Sequence, residues 1–399
     1  MNKPEFYKKK LKNGLTVLFE KRNLPVVSIA TAIKFGSGYE PILTKGAAHL
    51  IEHMTFQGTK NKTHEEIARE VEKKGGIINA STGEEYTFYF NKLPSKHLDI
   101  GVDMASDLIL NPLFNKELFE KEKKVVLEEI KLYKDNPRFY VMEKIKEMLY
   151  KKPFGVFGAG TEESVSNLTR GQISEIYNSN YFTNNMILCV VGKADFGKIC
   201  ELAEKIFPKR IGSIKKINPM KINLQNVEKR KGIDQANFIF GMHAPRRVDK
   251  DSYAFRVFLM HLAGGMSSVL FNEIRDKRGL AYSICGDIDT GASYGYSTIY
   301  AGTTKENVSK VKEIILREIK NVGNLKSSDF EETKEQLIGL MKLSSEDSSS
   351  VMEMLMQEEI AGRAEKYYNY EENMNKVKLA DVRKFSKLKS YSAFSLVPE

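Results

Sequence analysis

Three residues within five positions carry the most chemistry in this sequence. His49, Glu52 and His53 lie inside Thr44-Lys45-Gly46-Ala47-Ala48-His49-Leu50-Ile51-Glu52-His53-Met54-Thr55-Phe56-Gln57-Gly58. Two imidazoles four residues apart stack on one face of a helix and can ligate one ion. A carboxylate between them, on the same face, can take a proton from water held by that ion. The stretch reads as a helix, with Thr44 as its N-cap and Gly58 just past its C-terminus. At about 100° per residue, His49, Glu52, His53 and Phe56 share one side, while Ala47, Leu50, Ile51 and Met54 share the other. Such a helix is buried along its back and faces a polar site. Taken alone, the pattern also suits a hydrogen-bonded core cluster or a solvated face, because five-residue motifs recur by chance. A third ligand separates these readings.

The helix best placed to supply it runs from Asn115 to Tyr133 and is ended by Asn136-Pro137. Its apolar stripe holds Leu118, Phe119, Val125, Val126, Ile130, Leu132 and Tyr133, with Glu122 and Glu129 in the middle. Glu117, Glu120 and Glu128 fall on the opposite face with Lys123, Lys124 and Lys131. A buried carboxylate is costly unless a cation or strong donors meet it. Two salt bridges to lysines would satisfy the pair, and so would one ion shared with the histidines. Combined with the histidine helix, the metal reading prevails, and it selects Glu129 over Glu128.

At this point the chain resembles a known family, the pitrilysin/insulinase metallopeptidases, which include the mitochondrial processing peptidases. His-x-x-Glu-His, the reverse of the commoner zinc-peptidase order, is the inverzincin signature. Here it is followed at a distance by Glu129 within Val125-Val126-Leu127-Glu128-Glu129-Ile130. The resemblance covers essentially the whole chain. It implies Zn2+ on His49, His53 and Glu129, Glu52 as general base, and Glu122 as an outer carboxylate supporting a histidine ligand. It also implies that Asn79 and Ala80, in the small-residue strand Ile77 to Thr82, receive an extended peptide along a free edge. Arg275 and Tyr282, within Asn272 to Ser283, would hold the peptide carbonyl and the developing oxyanion. Read unaided, that strand is an ordinary internal one, Arg275 a solvated charge and Tyr282 a core aromatic. Lys152, before Pro153, stands where relatives often carry histidine, outside the ligand set.

The implied fold is α/β (α+β): two duplicated halves, each a mixed β-sheet with helices packed on one face, forming a clam-shell around a cleft. The expected boundaries are a zinc-bearing domain over 1–208, a linker over 209–226 and a homologous domain without metal over 227–399. In the first half, paired strands occupy residues 6 to 35, helices run over His64–Lys74 and His97–Leu110, and Asn184–Gly192 is the strand that closes the half. The second half repeats the order, with a helix near Phe255–Leu262, a strand near Ala281–Cys285 and helices to the end. Aligning Phe330-Glu331 with Phe119-Glu120 sets Thr333 opposite Glu122 and Leu340 opposite Glu129, so the ligands are lost there. His243 and His261 read as core histidines.

Composition narrows the function class. The net charge of +10 comes from scattered lysines rather than a basic, aromatic-interleaved patch, which argues against nucleic acid. Cys189, Cys200 and Cys285 lack metal or redox spacing and read as buried thiols of a reducing compartment. The opening Met1 to Tyr7 does not read as a signal peptide, and no apolar run is long enough to span a bilayer. The expectation is a cytoplasmic zinc endopeptidase cleaving short or unfolded polypeptides in an enclosed chamber, with no membrane partner, self-sufficient or a homodimer. The alternative is a non-catalytic or partner-dependent subunit of a processing-peptidase-like heterodimer.

Overall fold

The computed structural model describes residues 4–213 and 215–399. The first three residues of the chain's opening, and Ile214 of the expected linker, lie outside that range. The chain forms two compact units, each built on one sheet.

The first unit begins with a hairpin, β1 (Glu5–Lys10) and β2 (Thr16–Lys21), turned at Asn13-Gly14, and continues into β3 (Val26–Ile33). Then come α1 (Ala47–Phe56), α2 (His64–Glu72), β4 (Ile77–Thr82), β5 (Thr87–Pro94), α3 (Leu98–Leu110) and the long α4 (Lys116–Asp135). Asn136 stops α4 and caps α5 (Pro137–Leu149), its side chain accepting the N–H groups of Arg138 and Phe139. After α6 (Glu162–Asn167) and α7 (Arg170–Asn180), β6 (Met186–Gly192) enters the sheet, followed by α8 (Phe196–Ile206). The sheet order is β1-β2-β6-β3-β5-β4. The strand expected to close this half is therefore central: β6 pairs parallel to β2 and antiparallel to β3.

The second unit holds β7 (Gln225–Arg230), β8 (Ala236–His243), α9 (Ser252–Ala263), a π-helical turn over Phe271–Asp276, β9 (Ala281–Thr290) and β10 (Gly295–Thr303). Next along the chain are α10 (Val308–Asn321), α11 (Ser327–Ser344), α12 (Ser348–Ile360), which belongs to the first unit, α13 (Tyr370–Asn375), α14 (Leu379–Arg383) and β11 (Ser392–Pro398). The second unit's sheet runs β7-β11-β8-β10-β9. The last segment is thus a strand beside β8 and β7, not a further helix. β7 begins at Gln225, inside the segment expected to be linker.

The units do not follow the expected boundaries of 1–208 and 227–399. Residues Lys131–Phe157, including α5, belong to the second unit, and Ser344–Tyr367, including α12, to the first. Ile145 and Leu149 of α5 pack against Gly241 of β8, where any larger residue would collide with them. Phe238, Phe240 and Met242, with the opposite orientation along β8, join the core formed with α9 and α10. The first sheet is covered in the same two-sided way. Gly101 of α3 abuts Ile29 of β3, while the adjacent Ser28 meets Ser348 of α12 through its hydroxyl at 2.8 Å. Cover on one face, as expected, is what the helices of each half give; the other face is covered by a helix from elsewhere in the chain. This explains why β3 and β6 are buried along almost their whole length.

Candidate metal centre

α1 has the two faces that its sequence requires. Ala47, Ala48, Leu50, Ile51 and Met54 are buried, while His49, Glu52 and His53 are half-buried on the other side. The N-cap is Gly46 rather than Thr44, which lies in a 3-10 turn over Ile42–Thr44. Gly46 has φ 96°, and a Cβ there would come within 2.5 Å of the Ala159 carbonyl oxygen. Glycine is required on both counts.

α4 presents Glu122 and Glu129 to this face. His53 Nδ1 stands 3.2 Å from Glu122 Oε2. The Nε2 atoms of His53 and His49 lie 3.5 and 3.8 Å from one and the same oxygen, Glu129 Oε2. One donor atom from each of His49, His53 and Glu129 falls within 4.8 Å of the other two. No other set of three or more histidine, cysteine or carboxylate donors is grouped in this way among the described residues. Ligand atoms around tetrahedral zinc sit at about 2.0–2.1 Å from the ion, hence about 3.4 Å from one another. The donor types suit zinc, and the two distances to Glu129 Oε2 lie close to that spacing.

The electrostatics point the same way. Burial works to lower the pKa of His53, but the hydrogen bonds to Glu122 and Glu129 prevail and raise it to about 9. Burial and the neighbouring imidazole lower His49 to about 4. Glu122 and Glu129 place negative charge beside the two rings. A cation shared by both rings would balance that charge. His49 Nδ1 is buried and makes no hydrogen bond, whereas His53 Nδ1 faces Glu122, so the two rings are unequally supported.

Glu52 is set apart from this trio by its partner: its Oε2 accepts the hydroxyl proton of Thr82 at the end of β4. Burial raises the Glu52 pKa, and the Thr82 hydrogen bond and His53 oppose the rise. Sequence reasoning missed Thr82, because a contact made thirty residues away across a strand and a helix leaves no local periodicity. Asn79 and Ala80 lie in β4 itself, which is not internal: among the described residues it pairs only with β5 and forms one edge of the sheet. The Asn79 side chain accepts the N–H of Ala80 at 2.8 Å.

The α4 stripe is narrower than its sequence suggests. Phe119, Glu122, Val126 and Ile130 are buried, but Val125 and Leu132 are 43% and 69% exposed. In the second unit, the Arg275 guanidinium lies 4.8 Å from the Phe271 ring centroid and 5.5 Å from that of Tyr282. Tyr282 is 80% exposed, so it is not a core aromatic. His243 Nε2 is 3.0 Å from the Ile222 carbonyl oxygen, and burial lowers the pKa of His261. Of the cysteines, Cys189 and Cys200 are buried and Cys285 is only half-buried.

Residues 16–156 match the sequence profile of the insulinase family, peptidase family M16, and residues 167–337 match that of the M16 inactive domain. The chain belongs to the M16 family. A Rickettsia felis protein named an uncharacterized zinc protease is 34% identical to it, over 80% of this chain and 77% of that protein. A Bacillus subtilis protein named the uncharacterized zinc protease YmxG is 30% identical, over 85% of this chain and 84% of its own length. Among solved structures, a protease from Helicobacter pylori superposes with a TM-score of 0.90 at 23% identity, covering 99% of this chain and all of that one. An M16-like peptidase from Alicyclobacillus acidocaldarius gives 0.85 at 18% identity, covering 99% of each chain. At such identities the superpositions speak for the two-unit M16 fold. Within this M16 chain, the inactive-domain match includes Thr333, which the sequence alignment sets opposite Glu122, and ends just before Leu340, set opposite Glu129. Among the described residues, no helix is long and apolar enough to cross a membrane.

Proposed function

We propose that this chain is a zinc-dependent endopeptidase that cleaves short or unfolded polypeptides. His49, His53 and Glu129 would hold the ion, which supplies Lewis acidity and brings the pKa of water towards about 7. The observation that carries the reading is the convergence of those three donors beside a separately held carboxylate, Glu52.

Glu122 holds the His53 ring through Nδ1, leaving Nε2 directed at Glu129. Thr82 holds Glu52 through one oxygen, and the other is available to accept a proton from attacking water and pass it to the leaving amine. The strand that carries Thr82 is also suited to receive substrate. β4 has no charged side chain, whereas the other outer strands carry Lys8, Lys9 and Lys10 in β1, Lys229 and Arg230 in β7, and Asp287 and Asp289 in β9. Charges on an edge discourage strand addition, and their absence permits it. An incoming extended peptide would displace the Asn79 side chain from the Ala80 N–H and pair there. A substrate bound as a strand must be short or unfolded. Arg275 and Tyr282 are assigned to the substrate carbonyl and developing oxyanion on the strength of the family resemblance, and the active species is taken as a single chain or a homodimer.

The test is Glu52→Gln. Hydrolysis of a quenched peptide should fall by about 10²–10⁴-fold, the range for loss of a general base, while zinc stays bound. Retained hydrolysis would remove Glu52 from its role. Cleavage of a tightly folded protein as fast as its unfolded form would contradict the strand-like mode of binding.

A further inference from the structure

α1 is entered through a turn whose polar groups are nearly all indoors. Glu40 is 2% exposed and Lys45 fully buried. The two oxygens of Glu40 accept the backbone N–H of Gly46, at 2.9 Å, and that of Ala48. Lys45 Nζ lies 4.0 Å from Glu40 and donates to the Ser37 carbonyl at 2.7 Å. From the other side, Ser164 Oγ donates to the Lys45 carbonyl oxygen at 2.7 Å. Gly160, at φ 93°, passes so close that a Cβ would meet the same carbonyl at 2.5 Å.

This is an unusual way to start a helix. The ordinary cap is a short polar side chain at the N-cap itself. Here the N-cap is a glycine, and the acceptor is a carboxylate six residues before it, buried with its own cation. A buried ion pair seldom adds net stability, because desolvation offsets the attraction. Its return is geometric. Two fixed oxygens on the amides of residues 46 and 48 set both the height and the rotation of a helix whose first ligand is residue 49.

We propose that Glu40 and Lys45 are positioning residues for the metal: by fixing the first turn of α1 they aim His49 and His53, and so set zinc affinity without touching the ion. The proposal rests on the assignment of His49, His53 and Glu129 as ligands. Burial works against the ionised Glu40 carboxyl, while Lys45 and the two N–H groups favour it. Glu84 is the other charged group that acts on it.

The experiment measures zinc affinity by competition with a chromophoric chelator, and amide exchange over residues 46–56, in full-length wild type, Glu40→Gln, Lys45→Met and Ser164→Ala. Glu40→Gln keeps the shape but turns an amide donor towards a backbone N–H. Its zinc affinity should fall by about 10-fold or more, as for groups that support a ligand, with faster exchange at the start of α1. Ser164→Ala should weaken zinc less, in the same direction. Thermal stability is read alongside, because a merely structural role would lower it and leave affinity unchanged. Wild-type affinity in Glu40→Gln overturns the proposal; if that variant does not fold, wild-type affinity in folded Lys45→Met does so. Wild-type protein that binds no zinc would instead overturn the ligand assignment beneath it.

Discussion

The two units share one plan and differ in one outcome. Strands β2-β6-β3-β5-β4 of the first correspond in order and direction to β7-β11-β8-β10-β9 of the second. α4 and α11 likewise correspond, yet they present different chemistry. Glu122 is buried against a histidine, while its counterpart Thr333 hydrogen-bonds to the Asp329 carbonyl of its own helix. Glu129 shares an oxygen with two imidazoles, while its counterpart Leu340 is 46% exposed. The fold therefore does not require the metal site. The same scaffold closes its core with or without these donors, and the proposed function would rest on a few side chains present in one copy.

The largest expected effect comes from removing the metal. Chelation should abolish peptide hydrolysis, zinc should restore it, and changes in amide exchange should be confined to α1 and α4. Equal changes in α9 and α11 would break the contrast between the units. Next in size is Glu122→Gln, for which zinc affinity should fall by about 10–100-fold through loss of support to His53. The matching change in the second unit, Thr333→Val, should leave zinc affinity untouched; a calorimetric titration of both variants decides. Smaller again are the packing effects along α4. Ile130→Ala should cost about 2–5 kcal/mol as a buried truncation, and Leu132→Ala no more than about 0.5 kcal/mol, measured by denaturant unfolding. Smallest is Leu340→Glu, which should shift stability by about 0.5 kcal/mol or less and create no second zinc site.

The sequence disclosed the parts of this molecule that rest on local periodicity. The two faces of α1 were legible because apolar and polar residues alternate at helical spacing over ten positions. Glu122 and Glu129 stood out because carboxylates in an apolar stripe demand a partner. The same stripe misled at Val125 and Leu132, since apolar identity alone does not say where the buried sector of a helix ends. What depends on distant partners was not legible. The exchange of α5 and α12 between the units, the central place of β6 and the final strand β11 are set by which sheet face each segment meets. Thr82 and Glu40 escaped notice for the same reason: each acts on α1 across a turn or a strand. Thr44 looked like a cap because its type is right, but the chain needs a left-handed residue at Gly46 and takes its cap from Glu40.

The central claim is that one divalent ion is held by His49, His53 and Glu129. Its most direct test is the zinc content of purified wild type and Glu129→Gln after dialysis, by elemental analysis, with circular dichroism to show that both are folded. One zinc per chain is expected in the wild type and none in the variant. Full zinc retention in folded Glu129→Gln, or its absence from the wild type, would contradict the account.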